Sequence, residues 1–139
     1  MATFVRTVDS FIQGARTVPR RYYTSHQLVA EEWGRLFARS WLCVGRTSEL
    51  AQGGAYVAHQ IGNDNVIVLR DRSGQIRAFH NVCRHRGTRL CEASRGQLKE
   101  TIQCPYHAWT YALDGRLVGA PHMQEVEGFD KRDFPLHAV

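Results

Sequence analysis

Two short motifs contain the residues of this chain that are best suited to chemistry. The first is Cys83-x-His85, the second is Cys104-x-x-His107, and eighteen residues separate them. Each motif offers one thiolate and one imidazole. Two thiolates and two imidazoles are the ligands of a [2Fe–2S] cluster in which histidines replace the cysteines on one iron. The motifs therefore predict a redox site that two loops hold between them.

The exchange of two thiolates for two neutral imidazoles changes the charge of such a cluster. Two ferric ions, two sulfides and two thiolates sum to zero, whereas four thiolates would leave a dianion. Because a neutral cluster accepts an electron more readily, its potential rises to about −150 to +300 mV, against about −400 mV for plant-type clusters. We therefore expect one-electron transfer, with these four residues as the metal ligands and no catalytic residue elsewhere in the chain.

The residues around both motifs resemble the cluster-binding loops of Rieske proteins. Residues 81–87 are Asn-Val-Cys-Arg-His-Arg-Gly, and residues 104–109 are Cys-Pro-Tyr-His-Ala-Trp. More narrowly, the chain resembles the N-terminal domain of Rieske non-haem iron oxygenases, the large subunit of ring-hydroxylating oxygenase systems. The resemblance runs from about Arg20 to the end of the chain. It implies that Cys83 and Cys104 bind one iron of a Rieske cluster, and that His85 and His107 bind the other.

The resemblance also indicates a branch of that family. Rieske proteins of respiratory cytochrome bc complexes carry one more cysteine in each loop, and these two cysteines form a disulfide. The corresponding residues here are Thr88 and Tyr106, so this bridge cannot form. The oxygenase and ferredoxin branch is therefore the expected one.

Structural zinc is the main alternative for the four ligands. Zinc sites of this kind usually pair two cysteines separated by two to four residues, whereas each motif here mixes cysteine with histidine. The other two cysteines are predicted not to be ligands. Cys43 lies in the apolar run 41–44 and is expected to be a packed thiol. Cys91 is expected to be a buried or partly exposed free thiol.

The chain length and its patterns predict one small domain. A chain of 139 residues can bury roughly two-thirds of its unfolded surface. Residues 1–22 lack a clear period and are expected to form an arm, followed by a Rieske [2Fe–2S] domain over 23–139. Thr24 followed by Gln27 is a capping-box pattern, and the apolar spacing after it predicts a helix over residues 25–38.

Short strands are expected after the helix. Their predicted ranges are 41–44, 55–59, 65–70, 76–80, 98–103, 109–113 and 116–118. Asp114-Gly115 is a strong hairpin signal between the last two. We predict a mainly β fold, a small antiparallel Rieske-type β-sandwich that is preceded by one N-terminal α-helix. Two hairpin-like loops would clamp the cluster at one tip.

The charge of the chain restricts its partners. The net charge is +5, and Arg84, Arg86, Arg89 and Arg95 lie on or beside the first motif. The chain contains no run of basic residues with interleaved aromatic residues, which is the pattern expected of a protein that binds nucleic acid. The arginines could steer an acidic electron donor or pair with carboxylates of the same or a neighbouring subunit, and both interpretations stay open. With no run of about eighteen apolar residues and no signal-peptide core, we expect a cytoplasmic protein without a membrane segment.

A mononuclear iron site is not expected in this chain. Oxygen-activating iron usually needs two histidines and a carboxylate. His80 and His85 are five residues apart, but Arg77 stands three residues before His80, where the catalytic motif of the resembling oxygenases would have a carboxylate. The other histidines lack ligand spacing; they are His26, His59, His122 and His137. The resemblance therefore places mononuclear Fe(II) in a larger C-terminal domain, which would begin about where Val139 ends the chain. Alone, the chain is expected to accept electrons but not to hydroxylate.

The preferred function is that of an electron-transfer domain in an oxygenase large subunit. It would pass electrons from a ferredoxin or reductase to mononuclear iron in the catalytic domain of the same or a neighbouring subunit of a homo-oligomer. A free-standing Rieske ferredoxin is the alternative, and a redox-sensing regulatory domain is a third. The helix before the first strand favours the oxygenase. The loops resemble those of oxygenases acting on aromatic acids or on quaternary ammonium compounds such as glycine betaine, and this choice stays open.

Overall fold

The computed structural model describes residue 14 and residues 16–139. Most of the predicted arm, residues 1–13 and 15, lies outside the described residues. The chain divides into two compact units at Leu42 and Cys43, and each is considered by itself. None of the helices in the described part of the chain is both long and apolar enough to cross a membrane.

The first unit contains the predicted helix, with a different beginning. Helix α1 spans Arg21–Thr24, helix α2 spans His26–Arg35, and a 3-10 helix follows at Phe37–Arg39. Ser25 is the N-cap of α2, because its hydroxyl accepts a hydrogen bond from the Leu28 N–H at 3.4 Å. The predicted capping box at Thr24 is therefore wrong. Thr24 ends α1, where its hydroxyl donates to the Arg20 carbonyl at 3.3 Å.

The strand predicted over residues 41–44 does not form. Residues 41–46 have no regular structure, and Trp41 is fully exposed. Cys43 is exposed as well, so the prediction of a packed thiol at this position is wrong. β-branched and aromatic residues favour a strand only when cross-strand neighbours pack against them, and no strand of the described residues pairs with this run.

The second unit is built on two antiparallel sheets. The larger sheet contains four strands in the order β3-β2-β1-β4. These strands are β1 at Ala55–Ile61, β2 at Asp64–Arg70, β3 at Ile76–His80 and β4 at Arg95–Gln97. Strands β3 and β4 therefore lie at opposite edges of this sheet, although only one loop connects them along the chain.

The smaller sheet contains three strands in the order β5-β6-β7. They are β5 at Thr101–Gln103, β6 at Thr110–Ala112 and β7 at Leu117–Gly119. The single strand predicted over 98–103 is thus shorter than expected, and β4 before it was not predicted. The hairpin at Asp114-Gly115 is confirmed. Gly115 has φ +91°, and a Cβ here would lie 2.6 Å from the Phe79 ring of the other sheet, so only glycine fits.

The main core lies between the two sheets, which confirms the predicted antiparallel sandwich. Its buried side chains come from both sheets and include Ile67, Leu69, Phe79, Ile102, Tyr111, Leu113 and Leu117. Cys83, Cys91 and Cys104 belong to the same cluster. The prediction that Cys91 is a buried free thiol is confirmed, and burial raises its pKa to about 11. Two of the four proposed ligands therefore extend directly from the core.

A buried carboxylate organises the turn between β2 and β3. Asp71 is 4% exposed. Its Oδ1 accepts hydrogen bonds from the Ser73 hydroxyl at 2.6 Å and from the Gln75 N–H at 2.9 Å, and its Oδ2 accepts one from Arg77 Nε at 2.9 Å. These bonds, the Ser73 hydroxyl first, lower the pKa of Asp71 to about 2. The turn is thus fixed at the end of the sheet by a carboxylate with filled acceptor sites.

The C-terminal tail covers the edge of β3. The His80 N–H donates to the His137 carbonyl at 2.9 Å, and the Val139 N–H donates to the Ala78 carbonyl at 3.2 Å. A bridge pairs Phe79 with Ala138. Because an unpaired edge strand leaves backbone groups without partners, the tail completes the hydrogen bonding of this edge.

Candidate metal centre

The first loop, residues 81–91, carries Cys83 and His85 on a tight turn. The Cys83 N–H donates to the Thr88 carbonyl at 2.8 Å, and the Gly87 N–H donates back to the Cys83 carbonyl at 3.0 Å. Gly87 has φ +73°, in the left-handed region that glycine enters without steric cost. The glycine therefore closes the turn on which both side chains are presented.

The second loop, residues 104–109, repeats this turn. The Cys104 N–H donates to the Trp109 carbonyl at 2.8 Å, and the Ala108 N–H donates back to the Cys104 carbonyl at 3.1 Å. Ala108 has φ +55° and so takes the conformation of Gly87. The two motifs have different spacings, yet each cysteine opens the same five-residue turn. This equivalence could not be inferred from the spacings.

The two loops bring the four predicted ligands together as two like pairs. The ring centroids of His85 and His107 are 4.7 Å apart, with an angle of 70° between the rings. Cys83 and Cys104 are buried, at 2% and 3% exposure. Burial raises the pKa of the Cys83 thiol, and the neighbouring Cys104 thiol raises it further. The thiols therefore meet inside the domain, and the imidazoles meet nearer to its surface.

The imidazoles fit a metal better than a hydrogen-bonded role. The Nδ1 atom of His107 is buried and has no hydrogen-bond partner, and buried polar atoms in proteins are rarely left in this state. His85 is exposed as a whole, but partial desolvation of its ring lowers its pKa, and adjacent His107 and Arg86 lower it further. Low basicity favours the neutral imidazole, which is the form that binds a metal. Among the described residues, no group of three or more Cys, His, Asp or Glu side chains is arranged to hold one metal ion.

Aromatic rings support both imidazoles. Trp109 is buried and stacks on His85, with ring centroids 4.9 Å apart and an angle of 10°. On its other sides Trp109 makes edge contacts with Phe129 and Phe134 at 5.8 and 5.7 Å. Tyr106, which is 60% exposed, covers His107 with centroids 3.7 Å apart. His85 is thus held from the core, whereas His107 is covered from the solvent side.

Sequence reasoning missed Tyr111 of β6. Its hydroxyl lies 3.3 Å from the Cys83 sulfur and accepts a hydrogen bond from the Arg84 N–H at 3.0 Å. Burial raises the pKa of Tyr111 above its usual range, so the hydroxyl stays protonated. Because the oxygen accepts from Arg84, the hydroxyl proton is free to point at the sulfur. The alternation of apolar residues 109, 111 and 113 indicated a buried ring, but nothing in the sequence indicated this bond.

The arginines near the first loop have no acidic partners among the described residues. Four arginines elsewhere in the second unit form ion pairs with carboxylates: Arg72, Arg77, Arg116 and Arg132. Arg86, Arg89 and Arg95 are exposed. Arg84 contacts the ring of His137 in the C-terminal tail. Positive charge is therefore left uncompensated on the first loop, where Arg86 acts on His85, whereas Arg95 lies in β4.

The fold and this set of side chains define a small β-sandwich with a candidate metal centre on two loops, and its relatives identify the family. The model of the Rieske [2Fe-2S] domain matches residues 40–130. The chain belongs to this family. The resemblance inferred from the loops is confirmed, and with it a cofactor that is a Rieske-type [2Fe–2S] cluster.

Curated relatives are oxygenase subunits. The chain is 44% identical over 119 residues to the carnitine monooxygenase oxygenase subunit of Acinetobacter baumannii, covering 86% of this chain and 32% of that subunit. It is 46% identical over 108 residues to the glycine betaine monooxygenase oxygenase subunit of Chromohalobacter salexigens, covering 78% of this chain and 24% of that subunit. The chain thus spans about a third or less of the length of these relatives.

Solved structures of oxygenases also match this chain. A quaternary ammonium Rieske monooxygenase in complex with γ-butyrobetaine matches with a TM-score of 0.81 and 42% identity, over 88% of this chain and 35% of the other. Naphthalene 1,2-dioxygenase from Rhodococcus matches with a TM-score of 0.81 and 36% identity, over 88% of this chain and 28% of the other. The Rieske fold of this chain is therefore shared with both monooxygenases and dioxygenases.

Because the two turns are equivalent, Gly87→Ala and Ala108→Gly should change the free energy of unfolding in opposite directions. We expect Gly87→Ala to lower the free energy of unfolding by about 1 kcal/mol, because an L-residue is disfavoured in the left-handed region. A Cβ at Gly87 would meet no atom within 4 Å, so backbone strain is the only expected cost. Ala108→Gly should raise the free energy of unfolding by up to about 1 kcal/mol, with the greater chain entropy of unfolded glycine reducing the gain.

Urea unfolding of the two variants and of the wild type measures both effects. Gly34→Ala in α2 serves as a control, because glycine is unfavourable inside a helix and its replacement should stabilise. A destabilised Ala108→Gly variant would contradict the equivalence of the two turns.

Proposed function

We propose that Cys83, His85, Cys104 and His107 hold the Rieske cluster and that the domain transfers single electrons through it. The observation that carries this proposal is the meeting of two buried thiols with two imidazoles, one of which has a buried Nδ1 without a partner. When bound, the cluster supplies a one-electron acceptor whose negative charge on reduction lies on the histidine-ligated iron. The thiols anchor it in the core, and the imidazoles form its side nearest the surface.

We propose further that the domain belongs to an oxygenase subunit. Its relatives with 44% and 46% identity are oxygenase subunits of carnitine and glycine betaine monooxygenases, which supports a quaternary ammonium compound over an aromatic one as substrate. The electron would leave from the imidazole side toward a mononuclear iron in the catalytic domain of the same or a neighbouring subunit. Transfer to a neighbouring subunit is supported by a related monooxygenase structure at 42% identity, which gives insights into inter-subunit electron transfer.

A free-standing Rieske ferredoxin is the second candidate, because the second unit has a complete core of its own. The reading frame beyond codon 139 distinguishes the two candidates. A frame that continues into a pattern of a carboxylate and two histidines supports the oxygenase. A stop codon at that point supports the carrier.

The electron donor is proposed to be an acidic ferredoxin or reductase that docks beside the first loop. Two exposed arginines of this loop, Arg86 and Arg89, do not pair with a carboxylate among the described residues. A positive patch next to a redox centre raises the encounter rate with a negatively charged partner. The exposed ring of Tyr106 supplies apolar surface beside the imidazole pair, because it covers His107.

The first prediction for the proposed function concerns the ligands. We expect Cys104→Ser to lose the cluster, so that the purified variant is colourless and its iron content falls to near zero. Cys91→Ser is the matched control, because Cys91 is equally buried but is not a proposed ligand. Iron and sulfide analysis with visible absorption measures the result. Stoichiometric zinc in a colourless wild type, or a full cluster in Cys104→Ser, would contradict the proposal.

The second prediction concerns the potential. The Tyr111 hydroxyl donates to a cluster-bound sulfur, and it stabilises the reduced state more because that state carries more negative charge. We expect Tyr111→Phe to lower the midpoint potential by tens of millivolts, since about 59 mV corresponds to a tenfold change for one electron. Redox titration followed by absorption measures the shift. Tyr56→Phe is the control, because that buried hydroxyl interacts with Cys91 and not with a proposed ligand. Equal potentials for wild type and Tyr111→Phe would show that the hydroxyl has no such role.

The third prediction concerns donor docking. We expect the double change Arg86→Gln with Arg89→Gln to slow reduction by an acidic [2Fe–2S] ferredoxin severalfold at low ionic strength. The wild-type rate should fall as salt rises, because screening shortens the range of charge interactions to about 8 Å at 0.15 M. Stopped-flow absorption measures both rates.

The control for this prediction removes the same number of charges elsewhere. Arg116→Gln with Arg132→Gln takes two arginines that carboxylates already neutralise, and its reduction rate should stay near that of the wild type. A rate lowered equally by both double changes would indicate an effect of net charge, and it would contradict docking beside the first loop.

A further inference from the structure

The bases of the two loops are built differently, although their turns are equivalent. The second loop is closed by neighbouring strands, because β5 pairs with β6 and Gln103 lies opposite Thr110 just outside the turn. The first loop leaves β3 and enters β4, and these strands lie at opposite edges of the four-stranded sheet. No ladder between its two flanking strands can therefore close the first loop. Just outside the turn, one isolated bridge pairs Val82 with Arg89, in the place that Gln103 and Thr110 take in the second loop.

Beyond this single bridge, one buried side chain continues the pairing where a ladder would run. Asn81 follows directly after β3 and is 0% exposed. Its Oδ1 accepts hydrogen bonds from the Leu90 N–H at 3.1 Å and from the Cys91 N–H at 2.9 Å. Its Nδ2 donates to the Cys91 carbonyl at 2.6 Å and to Asn65 Oδ1 at 2.7 Å. A carboxamide has two donors and two acceptor sites, so all of its hydrogen-bonding capacity is used.

These bonds join three segments at one point. The carboxamide binds both the N–H and the carbonyl of Cys91, as a paired strand residue would. It thereby ties the start of the first loop to its end, with Cys83 and His85 between them. Asn65 secures the same point to β2, because its carbonyl also accepts from the Asn81 N–H at 2.7 Å.

We propose that Asn81 is a positioning residue that holds the base of the first loop closed and thereby fixes where Cys83 and His85 meet the cluster. This inference rests on the ligands proposed above. A loosened base would let the turn carrying these two residues adopt a range of positions, while the second loop, closed by β5 and β6, would keep Cys104 and His107 in place. The ligand geometry would then vary from molecule to molecule.

Two changes at Asn65 isolate one of these bonds without altering Asn81. Both Asn65→Ala and Asn65→Asp remove the amide that donates to Gln60. Only Asn65→Asp keeps an oxygen for Asn81 Nδ2, and a carboxylate accepts a stronger bond than an amide does. We therefore expect Asn65→Asp to resemble the wild type and Asn65→Ala to show the effect.

Two measurements record the effect. In Asn65→Ala, the Leu90 and Cys91 amides should exchange with deuterium about five- to tenfold faster than in Asn65→Asp, as the loss of one net hydrogen bond predicts. The electron paramagnetic resonance lines of the reduced cluster should broaden in Asn65→Ala and stay narrow in Asn65→Asp. Asn81→Asp, which loses both Nδ2 donors, should show faster exchange and broader lines than Asn65→Ala, or fail to hold the cluster.

The outcomes separate this inference from the proposed ligands. Equal amide exchange and equal line widths in Asn65→Ala and Asn65→Asp would overturn the positioning role, even if Asn65→Ala unfolded at a lower temperature. Loss of the cluster in Cys104→Ser with unchanged protection of the Leu90 and Cys91 amides would support the ligands independently. If Asn81→Asp fails to fold, the Asn65 pair still decides, because Asn65 is only partly buried.

Discussion

The structure depends on one constraint, which is that two separate loops must bring the four proposed ligands to one place. In each loop the backbone N–H and the carbonyl of the cysteine form the same two hydrogen bonds. A residue with positive φ, Gly87 or Ala108, closes each turn. The turns hold the cysteines where their strands leave the core, and the histidines lie farther along, toward the surface. The fold of the second unit is therefore organised around the delivery of these two turns.

The surroundings give the two sides of the metal centre different properties. On the inner side, burial and the Tyr111 hydroxyl act on the sulfur of Cys83. On the outer side, the imidazole pair lies between buried Trp109 and exposed Tyr106. Unpaired positive charge of the first loop is added there. This arrangement suits a carrier of single electrons, because the thiol side holds the site in the core while a partner protein has to approach only the imidazole side.

The sequence predicted the parts of this structure that follow from local pattern. Strand β3 was predicted with its exact range, and the ranges of β1 and β2 differ by one or two residues from the prediction, because alternating apolar residues and turn residues determine them. The run at 41–44 shows the limit of this approach, since Trp41 and its neighbours favour a strand but no partner is present. The N-cap of α2 is Ser25 and not Thr24 because of a single hydroxyl, which the sequence pattern cannot select.

The four residues could be proposed as ligands because their types and spacing are rare together, whereas their supporting residues carry no such signal. Tyr111 and Asn81 look like ordinary strand and loop residues, and their roles appear only when distant segments meet, as Asn81 meets Cys91. The equivalence of Gly87 and Ala108 is hidden because alanine rarely adopts positive φ. Contacts between residues far apart in sequence are thus the part of the site that local reasoning misses.

The central claim is that two histidines bind one iron of the cluster and two cysteines bind the other. Electron-nuclear double resonance on the reduced protein, with nitrogen-15 in histidine alone, tests this claim most directly. The account predicts nitrogen couplings from two histidines, both of which disappear with the cluster in Cys104→Ser. A reduced cluster without histidine couplings, or with coupling from one histidine only, would contradict it.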